Sequence, residues 1–180
     1  GKGKRFGFVK ISAKKVYWYA LVNENKFDEN LDLLETFNDF DSLVLEILES
    51  TKPENIILND IIDLAPIPKW YDENICLIGD AAHATTPNMG QGACQSIEDA
   101  YVIGKLLEKN QNFNSVFEEF QNIRRKKVDT IVKNSWTIGK ISQWKKGNQL
   151  RNFLMRSIPE SINQKMVEKV WVKNIPYNKN

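Results

Sequence analysis

The stretch ICLIGDAAHATTPNMGQGACQSIEDA, from Ile75 to Ala100, constrains the fold of this chain more than any other. An apolar run stops at Gly79-Asp80, a loop punctuated by Pro87 and Gly90 follows, and a helical pattern opens at Gln91-Gly92. The run ICLIG is too short for a helix and wholly apolar, which predicts a buried strand over Ile75 to Gly79. Asp80 then stands at the strand tip, and a helix is expected to begin between Gln91 and Cys94. In strand–loop–helix units of this kind ligands sit beyond the carboxyl ends of the strands, where a carboxylate accepts from sugar hydroxyls. Ala81 and Ala82 keep the backbone close to whatever Asp80 holds. Gly90 and Gly92 allow positive φ or close approach, and Pro87 stiffens the loop between. The N–H groups and dipole at the start of the following helix favour an anion by about 0.3–1 kcal/mol when exposed. Each part has a plainer use as well. An Asp after a strand serves as a helix N-cap or turn residue, and glycines serve turns, so the Gly-Asp pair alone decides nothing.

The rest of the chain places this unit among strands and helices. KRFGFVKISAKKVYWYALV shows two β-rich runs around SAKK and predicts an antiparallel hairpin. From Leu31 to Ser50, Phe37, Phe40, Val44, Ile47 and Leu48 recur at helical spacing, and Lys52-Pro53 ends the run. NIILNDIIDL offers short apolar runs read as strands before the break at Pro66 and Pro68. Gln91 to Leu107 carries a helical stripe through Ala93, Ile97, Ala100, Ile103 and Leu107. A second helix is expected from near Asn114 past Trp136, burying Phe117, Phe120, Ile123, Ile131 and Ile138. RNFLMRSI and SINQKMVEKVWVKN read as two short helices split by Pro159. The order is strands, helix, strands, then helices: a mixed α and β chain of the α/β class.

Composition excludes several functions. A net charge of +2 is too small to argue for nucleic acid or an anionic membrane, and Arg124-Arg125-Lys126-Lys127 reads as a solvated helix face. No apolar run reaches the ~18 residues of a transmembrane helix, and no signal peptide is visible. Cys76 and Cys94 lack metal-ligand spacing, and the single histidine cannot complete a zinc set, so no metal site is expected. Two reduced thiols suit a cytoplasmic protein. The chain opens at Gly1 and enters a strand almost at once, which reads as a piece of something longer.

As a whole string, GDAAHATTPNMGQGACQSIEDA resembles the second FAD-binding signature of the class A flavin-dependent aromatic monooxygenases, the para-hydroxybenzoate hydroxylase-like family. Its wording is nearest to the zeaxanthin epoxidase and urate hydroxylase branches, and VYWYA before it looks like a strand of that family's substrate-domain sheet. The resemblance implies part of a Rossmann-like FAD-binding domain, substrate-domain strands and C-terminal helices. It divides the chain into 1–68 as part of the substrate-binding sheet domain, 69–110 as a returning segment of the FAD-binding domain, and 111–180 as a C-terminal helical region. It further implies that Gly79 and Asp80 lie at the ribityl or ribose hydroxyls of FAD. Pro87 and the backbone of Asn88, Met89, Gly90, Gln91 and Gly92 would lie against the isoalloxazine.

The GxGxxG half of such a site does not occur in this sequence, so the N-terminal FAD-binding half is an expected partner and self-association an expected consequence of its absence. No residue is assigned a catalytic role. His83 reads as structural, since no carboxylate or nucleophile pattern supports a triad. Cys94 reads as a small packing residue, and Glu98 and Asp99 as structural hydrogen-bonding groups. The function implied is an FAD-dependent monooxygenase that uses NAD(P)H and O₂ to hydroxylate or epoxidise an aromatic or polyene small molecule. The alternatives are a related flavoprotein halogenase or reductase, and a non-catalytic fragment or interaction module.

Overall fold

The computed structural model describes residues 2–23, 31–144 and 147–157, together with 159 and 164. The chain forms two compact units, Gly1–Asp60 with Lys140–Phe153 and Ile61–Gly139 with Leu154–Asn180.

The first unit is built on the expected hairpin. Strands β1 (Lys4–Ser12) and β2 (Lys15–Val22) pair antiparallel, Phe6 opposite Ala20 and Phe8 opposite Trp18, with a register shift between Lys10 and Ser12. Alternation puts Phe6, Trp18 and Ala20 on one face, which packs on buried Phe37, Val44 and Leu48. Phe6 stacks on Trp18 at 5.4 Å and meets the edge of Phe37 at 5.8 Å. The single helix expected from Leu31 to Ser50 is instead two, α1 (Leu33–Thr36) and α2 (Ser42–Glu49). The interruption is a matter of capping. Asp32 accepts from the Glu35 N–H and Asp41 from the Leu43 N–H, each at 3.0 Å, so two Asp side chains start two helices. The core stripe Phe37, Val44 and Leu48 survives the break because α2 restores the helical face.

NIILNDIIDL forms no strand. Past the 3₁₀ turn Pro53–Asn55 the backbone at 56–65 pairs with no strand, and Ile57 and Ile62 are exposed. Apolar content alone suggested strands there, but a strand exists only where a neighbour completes its ladder.

In the second unit, β3 (Tyr71–Asp72) and β4 (Ile75–Cys76) form a two-residue antiparallel pair. The strand expected over Ile75 to Gly79 is therefore short, and Ile75 is 69% exposed rather than buried. Asp80 does not end a strand; it opens the one-turn helix α3 (Asp80–His83). Helix α4 (Gly92–Lys109) begins where the glycine pair placed it, and α5 (Phe113–Ser142) runs for 30 residues, about 45 Å. Of the α4 stripe expected through Ala93, Ile97, Ala100, Ile103 and Leu107, Ile103 is half-buried against the core and the others face outward, with Ile97 70% exposed. The buried face is Gln91, Gln95, Asp99, Val102 and Leu106, a polar half followed by an apolar half at the same helical spacing. Val102 and Leu106 pack with Val116, Phe117, Phe120, Val128, Trp70 and Ala82 into one core. On α5 the expected Phe117, Phe120 and Ile131 are buried, while Ile123 and Ile138 are half-buried.

The basic run is also corrected. Arg124 is 1% exposed, Arg125 and Lys127 are half-buried, and only Lys126 of the four is exposed. Helix α6 (Asn148–Arg156) matches the first of the two C-terminal helices expected, and the second lies outside the described residues. Phe120 sits at the centre of the second unit's core with no exposed surface. Phe120→Ala should cost about 3–5 kcal/mol through lost burial and a residual cavity, read from the midpoint of chemical denaturation.

Candidate functional site

The Gly79–Gly92 loop is shaped from its backbone outward. Gly79 has φ +57°, a region a side chain rarely tolerates, and an added Cβ would stand 2.7 Å from Ser96 Oγ. Its N–H donates to Asp99 Oδ2 at 2.8 Å. The turn so fixed sends Asp80 to the surface at the first position of α3. The Asp80 carboxylate lies beside the start of α4, where a Cβ on Gly92 would be 3.8 Å from Asp80 Oδ1 and 3.8 Å from Thr85 Cγ2.

Beyond α3 the chain makes a 3₁₀ turn, Pro87–Met89, closed by the Gly90 N–H to Pro87 O at 3.0 Å, with Gly90 left-handed at φ +61°. Pro87 and Gly90 are exposed; Asn88 and Met89 are half-buried. Gln91 is buried, and its Oε1 accepts from Gln95 Nε2 at 3.2 Å. It N-caps α4 without a side-chain bond, and the first turn of α4 holds no acidic residue. No side chain of α4 itself caps the leading N–H groups of this 18-residue helix, and the Asp80 carboxylate lies beside them.

Behind this surface lies a buried polar network that the sequence reading did not assemble. Asp99 is wholly buried. Its Oδ2 accepts from the Gly79 N–H and from His83 Nε2 at 2.7 Å, and its Oδ1 accepts from Arg124 Nε at 2.6 Å. Arg124 also donates to Gln95 Oε1 at 2.8 Å and pairs with Glu98, whose other oxygen takes Lys127 Nζ at 2.7 Å. Burial pushes the Asp99 carboxyl up, but hydrogen bonds from His83, Arg124 and Gly79 and the Arg124 charge together hold it below the usual carboxylate range. An ionised Asp99 has no proton to give, so His83 donates through Nε2. His83 packs 5.3 Å from the Trp70 ring, and its carboxylate partner is Asp99, a pairing the sequence did not suggest. Burial, and then the charge of Asp99, push the Cys76 thiol up to about 11, so it stays protonated at neutral pH.

Arg124 was read as solvated and Ser135 was not singled out because both are polar, yet both lie on the apolar stripe of α5. Phe117, Phe120, Arg124, Val128, Ile131 and Ser135 follow steps of three and four. Thr85, also unforeseen, carries a hydroxyl that is buried without a hydrogen-bond partner.

Two outcomes follow from this network. Arg124→Leu should destabilise the fold by about 3–5 kcal/mol in denaturant titrations, because it strands the Asp99 charge. The Asp99 carboxyl is held below its unfolded value of about 3.9, so its contribution is fully present above that pH and is lost as pH falls through the folded pKa. Unfolding free energy should therefore drop more steeply below about pH 4 in the wild type than in Asp99→Asn, and parallel acid limbs would refute the assignment.

Residues 66–135, which hold the whole loop and network, match the family described as FAD binding domain. Aurachin C monooxygenase/isomerase of Stigmatella aurantiaca is 35% identical over 149 residues, 80% of this chain and 39% of that protein. The 2-heptyl-3-hydroxy-4(1H)-quinolone synthase of Pseudomonas aeruginosa is 32% identical over 182 residues, 95% of this chain and 47% of that protein. The chain thus spans less than half the length of these relatives. Among solved structures, Klebsiella pneumoniae HpxO complexed with FAD and uric acid shares the fold, with a TM-score of 0.81 over 94% of this chain and 46% of that one at 24% identity. Among the described residues no helix is long and apolar enough to cross a membrane. Over residues 66–135 the chain is thus similar to FAD binding domains, and the relatives it resembles over most of its length include FAD-dependent monooxygenases.

Proposed function

We propose that this chain is the C-terminal portion of an FAD-dependent monooxygenase that uses NAD(P)H and O₂ to hydroxylate or epoxidise an aromatic or polyene small molecule. The observation that carries the reading is the exposed Asp80 carboxylate beside the uncapped, acid-free start of α4, within the segment matching the FAD binding domain.

The residues present fit a flavin. Asp80 offers two acceptor oxygens to ribityl or ribose hydroxyls, held outward by the Gly79 turn. Pro87 and Gly90 present an exposed, side-chain-poor surface to a planar ring, with open space around the Gly90 Cα. The N–H groups of Gly92 and its successors would face the edge of the ring that gains electron density on reduction, and Asn88, Met89 and the Gln91 backbone complete the surface. Bound there, FAD would supply the oxygen activation, and the chain would orient it and donate hydrogen bonds to it.

On this reading 1–68 would be part of a substrate-binding sheet domain, 69–110 a returning segment of the FAD-binding domain and 111–180 a C-terminal region. Relatives that share sequence with the chain include a monooxygenase, a quinolone synthase and a zeaxanthin epoxidase, which supports an aromatic or polyene substrate. The exposed Ile75 and the two-residue strand pair support a further part of the FAD-binding domain covering this face, the half that would carry the pyrophosphate turn. Without it these apolar groups favour self-association.

In the full-length protein Asp80→Ala should weaken FAD binding by about 1–3 kcal/mol, the scale of a charge-assisted hydrogen bond lost on partial burial; unchanged affinity by titration would remove Asp80 from the site. In flavin fluorescence quenching the chain alone should bind FAD weakly, and adding the N-terminal half should restore binding. Tight stoichiometric binding and NAD(P)H oxidation by the chain alone would show that the site is complete within it.

A further inference from the structure

We propose that Ser135 and Gly139, one turn apart on α5, are positioning residues that clasp the Pro87–Met89 turn, an inference that rests on the flavin reading above for its purpose. The hydrogen bonds form a directed chain. Ser135 Oγ donates to Thr86 O at 2.7 Å, which commits its only proton. The Thr86 hydroxyl, 2.7 Å from Ser135 Oγ, must then donate to it, leaving its own oxygen to accept from Asn88 Nδ2 at 2.9 Å. Asn88 Nδ2 also donates to Ser135 O at 3.1 Å. Ser135 is wholly buried and Thr86 nearly so, so water cannot replace these bonds.

Gly139 supplies the room. A Cβ there would stand 2.4 Å from Asn88 Nδ2 and 3.0 Å from Asn88 Cγ, so any side chain at 139 evicts the Asn88 amide and breaks both of its bonds. Nothing in a long helix asks for glycine on local grounds, since alanine is the better helix former. The glycine is accounted for by the turn it admits. Asn88 sits at the middle of that turn, between exposed Pro87 and half-buried Met89, so the clasp sets the height and tilt of the surface assigned to the flavin ring. Helix α5 thereby fixes the far end of the loop, as Arg124 and Asp99 fix its near end.

The test uses the full-length protein that carries this chain, with amide hydrogen exchange and FAD titration run on Gly139→Ala, Asn88→Ala and the double variant. Gly139→Ala should speed exchange at residues 86–90, leave Gly79–His83 unchanged and weaken FAD binding about tenfold, the scale of one or two lost side-chain hydrogen bonds. In the Asn88→Ala background the same substitution should do almost nothing, because its target is gone. Ser135→Ala, which adds no bulk, should reproduce the local loosening and secures the test should Gly139→Ala not fold. Unchanged exchange at 86–90, or an equal effect of Gly139→Ala with and without the Asn88 side chain, would overturn the clasp. A wild-type protein that takes up no FAD would overturn the cofactor reading instead, while the exchange data would still decide whether the clasp exists.

Discussion

The carboxylate of Asp99 is the interaction on which the second unit depends. It gathers three separate pieces of chain: the Gly79 turn through a backbone N–H, the one-turn helix α3 through His83, and the long helix α5 through Arg124. Burying such a group costs several kcal/mol before its partners are counted, and a pair of well-packed hydrophobic residues could hold α4 to α5 as tightly. A hydrophobic residue could not accept the Gly79 N–H. Without that acceptor the left-handed turn before Asp80 would leave a buried donor unmade, and the direction of Asp80 would no longer be set.

The same logic explains why polar residues occupy one end of two apolar stripes. On α4, Val102 and Leu106 build core while Gln91, Gln95 and Asp99 turn the same face into a hydrogen-bonding wall behind the loop. On α5, Arg124 and Ser135 do the corresponding work among Phe120, Val128 and Ile131. Stability and site geometry are thus carried by one packed face. The apolar part supplies the bulk of the folding energy, and the polar part decides where Gly79, Asp80 and Asn88 stand. In the first unit no such network is needed: Phe6, Trp18 and Phe37 pack ring against ring, and aspartate caps settle the helices.

The sequence made some of this legible and hid the rest for physical reasons. The hairpin and the start of α4 were readable because strand alternation, turn residues and the glycine pair are local signals. The split between α1 and α2 hinged on two Asp caps that a hydrophobic stripe does not register. The wrong face of α4 was chosen because Ala93, Ile97 and Ala100 are apolar while the buried Gln95 and Asp99 are not; only the charge of Arg124, far along the chain, makes their burial tolerable. The apolar runs at 56–65 and Ile75 to Gly79 promised more strand than formed, because a ladder needs partners that local sequence cannot specify. Asp80 and the loop through Gly92 were legible as a set through their family resemblance, whereas the clasp from Ser135 and Gly139 depends on a contact across about fifty residues.

The most direct measurement of the central claim, that the surface from Gly79 to Gly92 holds a flavin, is two-dimensional amide NMR of the isotopically labelled full-length protein titrated with FAD. The largest shifts should fall on Asp80, on Asn88 through Gly90 and on the first turn of α4, with little change at the solvated face of α5 around Glu118 and Lys126. FAD binding that left the Gly79–Gly92 amides unmoved, while shifting others, would contradict it.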